Sequence, residues 1–180
     1  MKAAQNKNET NEKRKKQMMH IVLHEPEIPQ NTGNIARTCA ATGAKLHLIE
    51  PLGFSLDEKH VKRAGMDYWH LVDVQRYMNY QEFLEKNNFP KVYMATTKSR
   101  QTYAEVQYEE ECYIMFGRES AGIPEEILLD NRETCIRIPM ISEARSLNLS
   151  NSVAIVLYEA LRQHEFSHLL KQGELHHHHW

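Results

Sequence analysis

Arg37 has the most chemically suggestive setting in this sequence. It follows Gly33 by four residues and Asn34 by three, so on a helix the three share one face near the N-terminus. A guanidinium beside the positive end of a helix is electrostatically uncomfortable unless an anion such as a phosphate lies between them. A surface ion pair with a carboxylate such as Glu25 is the plainer explanation of the same arginine. Three polar loops each follow an apolar stretch, at 96–100, 117–122 and 139–149. In an open α/β sheet, ligands bind at the carboxyl ends of the strands, where such loops lie. Gly117, directly after Cys112-Tyr-Ile-Met-Phe116, marks a close approach of backbone to a ligand, a positive φ, or a plain turn. Lys98, Arg100 and Arg145 stand on these loops and could meet phosphates, although solvated loop cations read the same way.

Several well-known sites are excluded. Gly117 and Gly122 have the Walker spacing, but Ile123-Pro124 stands where Lys-Ser or Lys-Thr is required. Ser120 follows Gly117 by three residues instead of the two of a nucleophile elbow, and no Gly-x-Gly-x-x-Gly follows the first strand. His20 and His24 share a strand face without further ligands, so they read as structural and no metal is expected. The histidines at 176–179, with Trp180, resemble a purification-tag remnant and stand outside any metal argument.

The elements that must position these residues alternate. Residues 20–24 (His-Ile-Val-Leu-His) suit a buried strand, which Glu25-Pro-Glu-Ile-Pro ends. A helix is expected over 31–43, opening with Asn, Thr and Gly and closing at Gly43. A strand over 45–49 then completes a βαβ unit and implies a parallel sheet. Further on, the pattern predicts a short charged helix over 57–64, a strand over 69–74, a helix over 80–87, and strands over 91–95 and 112–116. A helix with Pro124 at its first position follows, then a strand over 134–138. The last helix opens with Ser and Asn and runs through Val153-Ala-Ile-Val-Leu157, apolar on every side. Such a helix is buried against more than one partner, its own sheet and a second subunit for instance, or lies at the centre of a monomer. The fold class is therefore α/β: a single three-layer domain with a mostly parallel sheet over 19–165, after a leader at 1–18 and before a tail at 166–180.

Composition agrees with a globular chain of 180 residues. No apolar run approaches the ~20 residues of a membrane span, and the polar N-terminus is no signal peptide. Cys39, Cys112 and Cys135 are odd in number and lie in apolar surroundings, as reduced packing residues of a cytoplasmic protein do. The net charge of −2 hides a split: the first 18 residues carry six Lys/Arg against Glu9 and Glu12, leaving the remainder at −6. That leader, rich in Asn and Lys, reads as disordered, and any nucleic acid must be met by local basic patches.

Three motifs occur in order: Asn31-x-Gly-Asn-x-x-Arg37, Phe116-Gly-x-Glu119-x-x-Gly122, and Ile138-Pro-Met followed by Ser146-Leu-Asn-Leu-Ser-Asn-Ser-Val-Ala154. Together they resemble the three motifs of the SPOUT methyltransferases of the SpoU type. Glu25-Pro-Glu-Ile-Pro-x-Asn-Thr-Gly-Asn and the short length are similar to the TrmL (YibK-like) branch, the tRNA (cytidine/uridine-34) 2′-O-methyltransferases. The resemblance covers about residues 19 to 165. It implies a C-terminal trefoil knot, an exception to the rule against knots, and a homodimer whose seam is the last helix. It also implies S-adenosylmethionine as methyl donor and the anticodon stem-loop of tRNA, leucine tRNAs foremost, as partner. Carried over, the donor's pocket would use Ala95 and Thr96, Gly117 and Glu119, Ile138 and Met140, and Ser146, Leu147 and Asn148. Arg37 would be the catalytic residue, and Asn34, Arg37 and Arg145 would meet RNA; no metal or membrane is implied. A SPOUT enzyme acting on another nucleotide, or a silent binding module, fits the same motifs.

Overall fold

The computed structural model describes residues 18–56 and 69–178. In chain order it holds β1 (Met18–His24), α1 (Pro29–Thr42), β2 (Lys45–Ile49), a 3-10 turn (Trp69–Leu71), β3 (Val74–Tyr77), α2 (Tyr80–Lys86) and β4 (Val92–Ala95). Then come β5 (Glu111–Phe116), α3 (Glu125–Asp130), a second 3-10 turn (Arg132–Thr134), β6 (Cys135–Ile136) and α4 (Leu149–Gln163). The six strands form one sheet in the order β3-β2-β1-β5-β4-β6, and every pairing is parallel.

An all-parallel sheet needs cover on both faces, and successive strand residues supply it by pointing to opposite sides. Ile21, Leu23, Leu46, Leu48, Ile114 and Phe116 pack beneath α1 and α4. Val22, Ile49, Met94 and Met115 face the other way, onto Phe83 of α2 and Leu128 of α3. The central strands are thus apolar throughout because both faces are interior. Phe166 and Leu169 also pack on the first cluster, and His168 Nε2 lies 2.8 Å from the carbonyl of Thr42, so chain beyond residue 165 contributes to the core. Among the described residues no helix is long and apolar enough to cross a membrane.

Several elements differ from expectation. The first helix begins at Pro29, which takes the first turn without needing an N–H, and its cap Ile28 offers no side-chain bond. Asn31 is thereby released from capping. The expected strand over 69–74 is a 3-10 turn, and pairing with β2 begins only at Val74; Trp69 and Val72 are apolar because they pack on the core, not because they extend. Pro124 caps α3 from outside instead of opening it. The strand over 134–138 keeps two ladder residues, after which the Arg137 N–H donates to the Gln101 carbonyl at 3.1 Å and the chain follows a loop. The charged helix expected over 57–64 lies outside the described residues. On α4, Val153, Val156, Leu157, Ala160 and Leu161 are buried, whereas Ile155 and Tyr158 remain 36% and 44% exposed, so one chain covers only part of its apolar girth. All three cysteines are buried, and burial pushes the Cys39 and Cys112 thiols up to about 12, leaving them unreactive at neutral pH.

A buried polar chain crosses the second cluster. Tyr77 donates to Gln75 Oε1 at 2.7 Å and accepts from Asn87 at 3.0 Å. His47 Nδ1, at 2.8 Å from the Tyr77 hydroxyl, must therefore carry the proton, and its Nε2 accepts from His20 Nδ1 at 2.8 Å. His20 Nε2 is buried without a hydrogen-bond partner, 3.7 Å from the exposed Glu111 carboxylate. Both imidazoles are held neutral. Burial, then Lys45, lowers His20 to about 4; burial, then His20 itself, lowers His47 to about 3. Unfolded histidines take up protons near pH 6.5 while the folded ones resist. Stability is therefore fully present above pH 6.5 and falls as the pH descends toward 4, by up to about 1.4 kcal/mol per unit for each histidine. Urea midpoints measured from pH 7 to 4.5 should show this decline, and His47→Gln should flatten it.

Candidate functional site

The loops that leave β1, β4, β5 and β6 at their carboxyl ends meet around a cavity of about 530 Å³, within the range of small-molecule sites. Every pocket residue expected from the sequence lines it: Ala95 and Thr96 from the end of β4, Gly117 and Glu119 after β5, Ile138 and Met140 after β6, and Ser146, Leu147 and Asn148 before α4. Arg145 lines it as well. Asn34 and Arg37 do not: both are exposed on the outer side of α1, outside this chain's cavity.

Gly117 has a definite steric reason to be glycine, and it is not a positive φ. A Cβ there would stand 2.0 Å from the Gly122 carbonyl carbon and 2.1 Å from the Ile123 nitrogen, because the loop folds back on itself. Gly122 closes that loop in the left-handed region (φ 74°), its N–H donating to the Arg118 carbonyl at 2.8 Å.

The 118–120 turn is sewn to the β1–α1 turn by reciprocal bonds. Glu119 accepts from the backbone N–H of Glu27 at 2.9 Å and of Ile28 at 3.3 Å. Glu27 in return accepts from the Ser120 N–H at 2.8 Å and hydroxyl at 2.7 Å, which draws its carboxyl below the usual range. Arg118 pairs with Glu25 at 2.7 Å, which adds an ion pair to the same seam.

A second link ties in the third loop. Asn31 donates to Glu119 at 2.9 Å and accepts from the Asn148 amide at 2.9 Å. Asn148 turns its own oxygen to the N-terminus of α4, accepting from the Ser150 and Asn151 N–H groups at 2.9 and 3.3 Å, an ordinary N-cap. One chain of bonds thus fixes α1, the 117–122 loop and α4 relative to one another. Glu119, read as a pocket residue, is committed to this frame through three N–H donors. Asn31, Glu27 and Ser120 were missed by sequence reasoning, which took Asn31 for a helix cap; the Pro29 ahead of it was the available signal.

The fourth wall is equally anchored. The Thr96 N–H donates to the Ile136 carbonyl at 2.9 Å, and the buried Ser99 hydroxyl donates to the Cys135 carbonyl at 2.7 Å. Phe116, Ile136, Ile138 and Leu147 give the cavity apolar walls, while Thr96, Ser146 and loop backbone give polar ones. The lining thus offers both apolar surface and hydrogen-bonding groups to a small molecule. Among the described residues no group of three or more His, Cys, Asp or Glu is placed to hold a metal ion.

A parallel sheet with two motif-bearing loops and the start of a motif-bearing helix closed over one cavity defines a class, and comparison with known proteins gives it a name: the chain matches the SpoU rRNA methylase family over residues 18–158 and belongs to it. Among individual relatives, it is 50% identical over 147 residues to the tRNA (cytidine(34)-2′-O)-methyltransferase of Escherichia coli K12, covering 81% of this chain and 94% of that one. A solved structure described as giving insights into the 2-OH methylation of C/U34 on tRNA superposes with a TM-score of 0.77 at 44% identity, covering 83% of this chain and 98% of the other. The AdoMet-bound rRNA methyltransferase of Sinorhizobium meliloti superposes with a TM-score of 0.71 at 28% identity, over 81% of this chain and 56% of that one.

Proposed function

We propose that this protein methylates the ribose 2′-hydroxyl of nucleotide 34, cytidine or uridine, in the anticodon loop of tRNA, with S-adenosylmethionine as donor and leucine tRNAs as substrates. The observation that carries this reading is the convergence of all nine expected pocket residues on one cavity, in a chain half identical to an enzyme named for that reaction. The apolar walls at Phe116, Ile138 and Leu147 would take the donor's adenine, and Thr96, Ser146 and the loop backbone its polar groups. S-adenosylmethionine supplies, when bound, a sulfonium methyl group open to in-line attack. The protein's remaining work is to aim the ribose oxygen and to ease departure of its proton. Arg37 serves as the catalytic residue by clamping the adjoining phosphate and lowering the hydroxyl's pKa, a role that needs no deprotonated guanidinium. Asn34 and Arg145 contact the RNA.

The same reading includes a cytoplasmic homodimer joined along the outer side of α4, where Ile155 and Tyr158 stay exposed. It also includes a knotted C-terminal region, supported by the return of β6 to the outside of β4 after β5 has entered the sheet. Incubation with radiolabelled donor and bulk tRNA, followed by mapping of the labelled nucleotide, tests the function. Label at the 2′-oxygen of position 34 is the expected result. Label at another nucleotide would assign a different RNA target, and no label at all would leave only a binding module.

A further inference from the structure

Beside the cofactor cavity lies a second one of about 560 Å³, bounded by the 98–101 loop on one side and by α3 and the turn after it on the other. The two share Thr96 and Lys98, so occupants of the two cavities would adjoin. We propose that the second cavity receives a nucleotide neighbouring the methylated one, its phosphate at Arg100 and Arg132 and its base against Leu129. This rests on the reading of the chain as an RNA 2′-O-methyltransferase and adds a substrate subsite to it.

Charge is the first support. Six Lys/Arg against three Glu line the two cavities together, in a chain with 22 basic and 24 acidic residues. Elsewhere among the described residues several cations are matched at close range: Lys45 with Asp73, Lys86 with Glu82, Lys91 with Glu109, Arg162 with Glu159. Arg100, Arg137 and Arg145 have no ion-pair partner among the described residues. Arg132 has only Glu133 at 3.8 Å, both side chains more than four-fifths exposed, a pair too solvated to hold it. The cavity's other carboxylate, Glu125, is taken by Lys98 at 2.7 Å. A mildly acidic protein that keeps unmatched arginines around one pair of cavities presents them to an external polyanion.

Mounting is the second support. Arg100 is exposed, yet the residues on either side of it are fastened. Ser99 is 8% exposed and bonded to the Cys135 carbonyl, while Gln101 donates to the carbonyls of Glu133 and Cys135 at 3.0 Å each. A cation on so fixed a platform meets a phosphate with little further ordering of backbone. Leu129 is the third support: on α3, inside this charged cavity, it is 73% exposed. A bare apolar side chain next to arginines offers a base one face for contact while its phosphate is held.

The test uses the full chain and a synthetic tRNA anticodon stem-loop, with binding followed by fluorescence anisotropy across a series of salt concentrations. Arg100→Glu and Arg132→Glu should each raise the RNA Kd by at least about tenfold and flatten the plot of log K against log salt by roughly one. Arg100→Gln should act in the same direction, and Leu129→Ser should weaken binding with the salt slope unchanged. The Kd for S-adenosylmethionine should stay at the wild-type value throughout, because these side chains lie outside its cavity. Wild-type RNA affinity and salt slope in both glutamate variants would overturn the subsite while leaving the proposed function intact. An equal loss of donor binding would also overturn it, as damage passed through the shared wall. Failure of the wild-type chain itself to bind or methylate tRNA would remove the function and the subsite together.

Discussion

Arg37→Ala is expected to lower methyl transfer to tRNA by at least about a hundredfold while S-adenosylmethionine binds with unchanged affinity. The separation of effects follows from position, since Arg37 stands on the exposed side of α1 and contributes nothing to the lining of this chain's cavity. Single-turnover transfer of labelled methyl gives the rate, and calorimetric titration with the donor gives the affinity. Retained turnover would remove Arg37 from the mechanism. Arg37→Lys then distinguishes a clamp from a base. Lysine keeps the charge but loses the planar fork that grips a phosphate through two N–H groups. A clamp therefore loses rate at every pH. A base would instead gain, because an ammonium near pKa ~10.4 gives up its proton far more readily than a guanidinium, and the rate would climb steeply in alkaline buffer.

Gly117→Ala should be more damaging than the same change at Gly43, Gly53, Gly122 or Gly173. The added carbon would sit inside contact distance of the Gly122 carbonyl carbon and the Ile123 nitrogen, at 2.0 and 2.1 Å, and backbone on both sides leaves no flexible neighbour to yield. Overpacking of this kind costs about 1–3 kcal/mol, and relief requires opening the very loop that walls the cavity. A fall in melting temperature and loss of measurable donor binding are expected together. Gly122→Ala provides the contrast. Nothing lies within 4 Å of its added Cβ, so it meets only the left-handed backbone penalty of about 1–2 kcal/mol, and donor binding should survive. Equal effects from the two substitutions would mean that strain, not crowding, governs this loop.

The βαβ opening, the strands at 45–49, 91–95 and 112–116 and the cap at Gly43 were legible in the sequence because each rests on local chemistry: β-branched runs, glycine and proline punctuation, short polar loops. The nine residues that the family resemblance implied for the pocket all line one cavity, but that inventory came from the resemblance and not from composition or spacing. Polar β3 was not legible. Its Val-Gln-Arg-Tyr joins the sheet through one neighbour at the edge, where side-chain composition carries little signal, while Trp69 nearby imitates a strand by packing on the core. Nor could Glu119 be seen as a structural anchor, because its donors lie about ninety residues away. The same distance hid Glu27 and Ser120. Contacts of that separation come from topology, and no local pattern encodes them.

The bonds running from Asn148 through Asn31 to Glu119 have a direction: each amide gives a hydrogen to the next acceptor in line. Conversion of either asparagine to aspartate would preserve its shape almost atom for atom, yet would set oxygen against oxygen and break the sequence of donors. Spontaneous deamidation at either position should therefore loosen the frame that joins α1, the 117–122 loop and α4. Asn31 is shielded, 6% exposed and within a helix, whereas Asn148 is exposed at the mouth of the site. Chemical wear should thus register at Asn148 before Asn31, and from there at the anchorage of α4.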